Sequence, residues 1–284
     1  MIEPLVREDG FADTLIPLVR LMMCAKSLPR MPLIYRPGLT IIVQGRKIGY
    51  LGDREIHYNS GHYLVQTLPL PFECETFASP QEPLFGVSID VDPVLLSELV
   101  TVSSDDNLQP SVTHFPMSSV PMSDDMIESV SRLIKALHDP YTAKVMGGSR
   151  VREVIFEALQ SPQGAALRAL VVNQGRFSLI VNALKQLHLQ LDQDVRVEQL
   201  AGDANMRVSS FHHHFKAIAG SSPLQCLKRL PLLKAQMLLN QGHLNFCQIS
   251  LKVGYKSIHQ FSRDYKRYFG APPTKDKLRE DAVL

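Results

Sequence analysis

An α+β fold, with a small antiparallel β-barrel in its N-terminal half and an all-α C-terminal half, is what the sequence predicts, and three observations carry it. Short β-branched runs separated by turn signals fill residues 31–91. A helix-turn-helix pattern occurs twice after residue 195. Charge divides along the same line: residues 1–175 hold 14 Lys and Arg against 20 Asp and Glu, a net of −6, and residues 176–284 hold 16 against 8, a net of +8. The overall charge of +2 therefore conceals a basic C-terminal half suited to a polyanion.

Residues 1–30 carry little signal and read as irregular or part helical, with FADTLIPLVRLMM as the helical candidate. From there the character changes. Residues 39–43 (LTIIV) are short and β-branched, Gly52-Asp53 and Asn59-Ser60-Gly61 are hairpin turn signals, and residues 63–65 and 85–89 are further strands. Several short strands at this spacing suggest a small barrel or sandwich, which can enclose a ligand. His57 and His62 lack the His-x-His spacing and clustered carboxylate of a metal-binding barrel, and read as surface or hairpin histidines. Tyr35, Arg36, Arg46 and Lys47 have the chemistry to meet an anion, but Gly45-Arg46-Lys47 reads as a solvated strand end, and no effector contact is assigned.

Helical periodicity returns at residues 123–138, where Ser123, Asp124 and Asp125 favour a helix start and Met126, Ile127, Val130, Ile134 and Leu137 form an apolar stripe. A second helix follows on Val151, Val154, Ile155, Ala158 and Leu159. Two such helices either cover the barrel or form a dimer seam. Ser161-Pro162-Gln163-Gly164 and Asn173-Gln174-Gly175 then break the pattern. This places an N-terminal domain at 1–160, a linker at 161–175 and a C-terminal domain at 176–284, opening with a helix over 177–191.

In the first helix-turn-helix unit the helices fall at 195–203 and 208–219, with Val208, Phe211, Phe215 and Ile218 on the inner face and Ser209, Ser210, His213 and Lys216 outside. In the second, a run at 248–253 and a turn at Gly254-Tyr255 lead to Ser257, a helix cap. Ile258, Phe261, Tyr265 and Tyr268 then share one face, while His259, Gln260, Arg263, Lys266 and Arg267 occupy the other. Gly270 and Pro272-Pro273 stop that helix. Phe211, Phe215, Lys216, Gly220 and Pro223 correspond to Phe261, Tyr265, Lys266, Gly270 and Pro273 at an offset of 50. Leu200-Ala201 corresponds to Ile249-Ser250 at 49, so the second turn is one residue longer.

A basic helix packed across a short one is the geometry that enters a major groove. Ser209 with His213, and His259 with Arg263, lie four apart and project together. The candidate base readers are Ser209, Ser210, His213, His259, Gln260 and Arg263, of which Arg263 can pair bidentately with guanine. Arg207, Lys216, Lys256, Lys266 and Arg267 are the phosphate candidates. His212, His213 and His214 do not make a metal site, because successive helix positions point about 100° apart. Between the units, a helix from Ser222-Pro223 to about Asn240 sets their separation; successive major-groove segments on one face require roughly 34 Å.

The tandem units, SSFHHHFKAIAGSSPLQCLKRLPLLKAQMLL and VGYKSIHQFSRDYKRYFGAPP, closely resemble the AraC/XylS family of bacterial transcription regulators over about the last 110 residues. YRPGLTIIVQGRKIGYLGD, PLFGVSIDVDP and SPQGAALRAL resemble the N-terminal domain of one AraC subfamily. The resemblance implies a cupin-like regulatory domain, dimerisation through its helices, and two recognition helices reading adjacent major grooves. By position, Ser209, His213, His259 and Arg263 match the family's base-reading places. Two residues depart from the family. Ser250 stands where it usually has Ala, a small change that a helix tolerates, and Pro231 stands where it prefers Arg, which implies a bent linker helix.

The expectation is a sequence-specific DNA-binding activator with promoter DNA and RNA polymerase as partners, forming a homodimer and responding to a small-molecule effector. No enzyme activity, cofactor or metal is expected. The N-terminus MIEPLVREDG lacks signal-peptide features, no apolar run approaches a membrane span, and Cys24, Cys74, Cys226 and Cys247 are scattered, so a cytoplasmic protein with reduced thiols is expected. Two other readings stand beside it: a cupin-domain enzyme with an accessory nucleic-acid-binding domain, and a regulator controlled by a protein partner. The first lacks a metal triad, an activated nucleophile and a phosphate loop.

Overall fold

The computed structural model describes residues 2–6, 8–102, 115–171, 175–189, 195–240 and 244–276. Its strands are β1 (Gly10–Asp13), β2 (Val19–Cys24), β3 (Leu28–Leu33), β4 (Gly38–Gln44), β5 (Arg46–Leu51), β6 (Arg54–Asn59), β7 (His62–Gln66), β8 (Phe72–Phe77), β9 (Leu84–Asp90) and β10 (Met117–Pro121). They form two antiparallel sheets, ordered β1-β2-β9-β4-β7-β10 and β3-β8-β5-β6.

The N-terminal domain is therefore α+β as expected, but its barrel is not closed. Pairing stops at β3 and β6, and the edge residues explain why. Pro29 and Pro32 in β3 cannot donate to a further ladder, a register shift separates Leu28 from Met31, and β6 turns Arg54, Glu55 and His57 to solvent. Gly45, at φ +85, carries the chain from β4 in one sheet directly into β5 in the other. The turn at Asn59-Ser60-Gly61, expected as a hairpin, is likewise a corner between sheets, because β6 and β7 do not pair.

FADTLIPLVRLMM is also corrected: it forms β1 and β2, not helix. Leu and Met favour helices locally, yet β2 pairs with β1 on one side and β9 on the other, and that pairing wins. Lys47 is no solvated strand end. The β5 run RKIGYL alternates with Lys47, Gly49 and Leu51 inward, leaving Lys47 7% exposed.

The helices are α1 (Pro93–Val102), α2 (Asp124–Ala136), α3 (Pro140–Gln160), α4 (Gly164–Arg168), α5 (Gly175–Leu189), α6 (Val197–Asp203), α7 (Val208–Ala219), α8 (Pro223–Asn240), α9 (Phe246–Lys252), α10 (Ile258–Phe269) and α11 (Pro273–Asp276). Ser123 caps α2 by accepting from the Met126 amide, and Asp139 caps α3 by accepting from Thr142. Residues 164–168, expected as linker, form α4, whose Leu167 joins the N-terminal core. The break expected at Asn173-Gln174 and residues 190–191 of the expected helix lie outside the described residues.

The larger sheet is buried on both faces. Leu39, Ile41, Val87 and Ile89 meet α1 to α4, including Leu96, Leu133, Val154 and Ile155. On its other face Met22, Ile42 and Leu64 meet Leu51, Tyr58 and Phe72 of the smaller sheet. That second cluster continues without a break into Leu200, Phe211 and Phe215 of the first helix-turn-helix unit. The junction is tight: a Cβ on Gly52 would lie 2.6 Å from the Gly220 carbonyl oxygen. No helix among the described residues is long and apolar enough to cross a membrane.

Candidate nucleic-acid interface

α7 and α10 are built alike. Each ends on a left-handed glycine, Gly220 at φ 68 and Gly270 at φ 77, whose amide donates to the carbonyl of Lys216 or Lys266. Each buries two aromatic rings a helical turn apart, Phe211 with Phe215 and Phe261 with Tyr265. The inner faces are narrower than their apolar residues suggest. Val208 and Ile258, expected inside, are each 39% exposed at the first position of their helices; Ile218 and Tyr268 are half-buried.

The outer faces gather the expected residues. Ser209, His213 and Lys216 are exposed on α7, with Arg207 just before it and Ser210 half-buried at the edge. His259, Gln260, Arg263, Lys266 and Arg267 are exposed on α10, with Lys256 in the turn before it. Arg267 donates to Asp264 at 2.9 Å, which orients its guanidinium along the helix. Asp264 also accepts from Tyr255, at 3.5 Å, and burial together with that carboxylate pushes the Tyr255 phenol up to about 12. The single acidic residue of this helix is thus turned to its flank. Among the described residues no three His, Cys, Asp or Glu side chains are grouped to hold a metal.

α8 joins the units as one helix of 18 residues, about 27 Å at 1.5 Å per residue. Ser222 caps it: its hydroxyl accepts from the Gln225 amide, and the Gln225 side chain accepts from the Ser222 amide. Pro231 lies inside it and falls at a boundary in the packing. Leu230 belongs to the cluster shared with unit one and the N-terminal domain, whereas Leu232, Ala235, Leu238 and Leu239 belong to a separate cluster with unit two.

Residues 15–166 match the AraC-type transcriptional regulator N-terminus, and residues 200–279 match a helix-turn-helix domain. The chain belongs to the family of AraC-type transcriptional regulators. Among curated relatives of this family member, the raffinose operon transcriptional regulatory protein RafR of Pediococcus pentosaceus is 29% identical over 147 residues, 51% of this chain and 52% of its own. The regulator AlkR of Acinetobacter baylyi is 38% identical over 92 residues, 32% of this chain and 30% of its own. The chain thus spans about half or less of these two relatives. Apo ToxT from Vibrio cholerae shares the fold at a TM-score of 0.62 and 8% identity, over 96% of this chain and 99% of that one. Unsaturated fatty acid bound ToxT does so at 0.61 and 9%, over 95% and 96%.

Two buried polar residues outside the exposed faces escaped the sequence. Ser250 is 0% exposed, and its hydroxyl is buried without a hydrogen-bond partner, so the Ser at an Ala position is a cost to unit two and not a neutral change. Its place opposite Ala201 in the repeat was the available signal. The other is Lys47, whose register in β5 was ambiguous because Ile48 and Tyr50 alternate equally well.

Proposed function

We propose that the protein is a sequence-specific DNA-binding transcription regulator whose α7 and α10 enter successive major grooves. The observation that carries this reading is the matched pair of exposed faces, Ser209 with His213 and His259 with Arg263, on two helices that each bury a pair of aromatic rings, end on a left-handed glycine and are joined by one helix. Ser209, Ser210, His213, His259, Gln260 and Arg263 read bases; Arg207, Lys216, Lys256, Lys266 and Arg267 hold phosphates. The mechanism is binding and not bond chemistry.

Activation through RNA polymerase, a cytoplasmic location and homodimerisation belong to the same reading. Exposed apolar side chains on α3, Tyr141 and Val145 one turn apart and Phe156 about three turns further on, support a dimer seam. The N-terminal domain senses a small molecule, a role supported by the cavity it encloses with α8 and by the solved fatty-acid complex of the similarly folded ToxT. Selection of bound fragments from a random duplex library at physiological salt tests the proposal. An enriched motif supports it; salt-sensitive binding with no enriched sequence overturns it.

A further inference from the structure

A second cavity, of about 300 Å3, lies where the N-terminal domain meets both helix-turn-helix units, beside the contact of Gly52 with Gly220. Its lining is mostly polar, and its two walls differ in charge. Arg30, Tyr50, Asp53 and Glu73 form the N-terminal wall. Lys216 of unit one, Gln225 and Arg229 of α8 and Tyr268 of unit two face them. The volume has room for about ten non-hydrogen atoms at roughly 30 Å3 each.

The N-terminal wall is largely satisfied within itself. Arg30 donates to Glu73 at 2.6 Å and lies over the Tyr50 ring at 3.9 Å, and the Tyr50 hydroxyl donates to Glu75 at 3.0 Å. Asp53 leaves that wall with one net negative charge. The facing wall is not satisfied. Lys216 and Arg229 bring two positive charges, and among the described residues no carboxylate lies within ion-pair distance of either. The Gln225 carbonyl oxygen accepts from the Ser222 amide, so its NH2 group is left to donate. Burial pushes the Tyr268 phenol up to about 12 against the opposing pull of Arg229, which keeps its hydroxyl a neutral donor at physiological pH. Two cations and two neutral donors together suit an anion with several oxygens.

We infer that this junction binds a small phosphorylated polyol of about three carbons, its phosphate held by Lys216 and Arg229 and its hydroxyls donating to Asp53 and Glu73. A phosphate dianion matches two cations, and its oxygens accept from the arginine fork and from Gln225 and Tyr268 together; a single carboxylate leaves half of that set unused. An apolar body would strand the carboxylates of the N-terminal wall, whereas hydroxyl groups satisfy them. The ligand touches the N-terminal domain, both units and the helix between them. Lys216 is also assigned to a DNA phosphate, so ester and duplex compete for it. That competition rests on the reading proposed above; binding of the ester does not.

The test uses the full chain with glycerol phosphate, inorganic phosphate and glycerol at constant ionic strength, read by calorimetry and thermal shift. Glycerol phosphate should raise Tm and bind at least about tenfold more tightly than inorganic phosphate, and glycerol should not bind. Arg229→Gln should weaken the ester at least about tenfold. Tyr268→Phe, which keeps the ring in place, should weaken it several-fold. No shift of Tm by the ester, equal binding of inorganic phosphate, or wild-type affinity in both variants would each overturn the inference. Saturating ester should also lower duplex affinity several-fold, and an unchanged duplex affinity overturns the competition. DNA selection on the same preparations separates the two readings: selective DNA binding without ester binding sinks only the junction site, and ester binding without selective DNA binding sinks only the regulator.

Discussion

Unit one packs Phe211, Phe215 and Ala219 into the same apolar cluster as Leu51, Tyr58 and Phe72 of the N-terminal domain, whereas unit two closes Phe261 and Tyr265 in a cluster of its own with the far half of α8. Their ends differ in the opposite sense. Arg196 and Arg207 start α6 and α7 without a side-chain cap, while Asn245 and Gln248 form a capping box on α9 and Ser257 caps α10. Unit two also links Phe246, Tyr255, Phe261, Tyr265 and Phe269 ring to ring, at centroid distances from 4.4 to 5.6 Å. Two copies of one pattern are thus held by different means. The copy docked on a large core does without local caps; the copy at the end of a helix supplies its own.

The largest break in that contrast should come from the paired aromatic truncations. Phe211→Ala and Phe261→Ala each remove a fully buried ring and should cost about 3–5 kcal/mol. Hydrogen exchange should then distinguish them, with Phe211→Ala loosening β5 and β8 as well as α7, and Phe261→Ala loosening only residues 244–274. Identical exchange maps would erase the distinction between the units. Next in size is Pro231, which costs a helix interior up to about 3 kcal/mol. Pro231→Arg should raise the melting temperature and shift the spacing between protected DNA segments; if neither moves, the bent-helix reading fails.

Smaller effects sharpen the comparison. Arg263→Ala should cost roughly 1–3 kcal/mol on the selected site and relax preference at one base pair, while Lys266→Ala should weaken selected and random duplex alike. Competition binding measures both. At about 1 kcal/mol, two serines of unit two should move in opposite directions: Ser257→Ala removes a cap and destabilises, whereas Ser250→Ala removes an unpartnered buried hydroxyl and stabilises. Thermal melts of the two variants give the signs.

What was legible follows from how local each cause is. α7 falls at 208–219 as its spacing predicts, and the Ser257 cap and both terminal glycines are where the sequence puts them, because turns, caps and the 3.6-residue period act over a few residues. β2 was not legible, since LMM is helical by propensity and becomes strand only through β1 and β9. Neither was the inward register of Lys47, set by β6 and β8 on either side of β5. On the candidate interface, exposure of the outer residues could be read from periodicity; the buried Ser250 hydroxyl and the Arg267–Asp264 pair depend on rotamers that periodicity does not carry.

The central claim is that α8 holds two reading helices in fixed register, and a hydroxyl-radical footprint of the full chain on its selected site tests it most directly. Two protected segments about one helical turn apart, roughly 34 Å, are the predicted result. A single protected segment, or two whose separation varies from site to site, would contradict it.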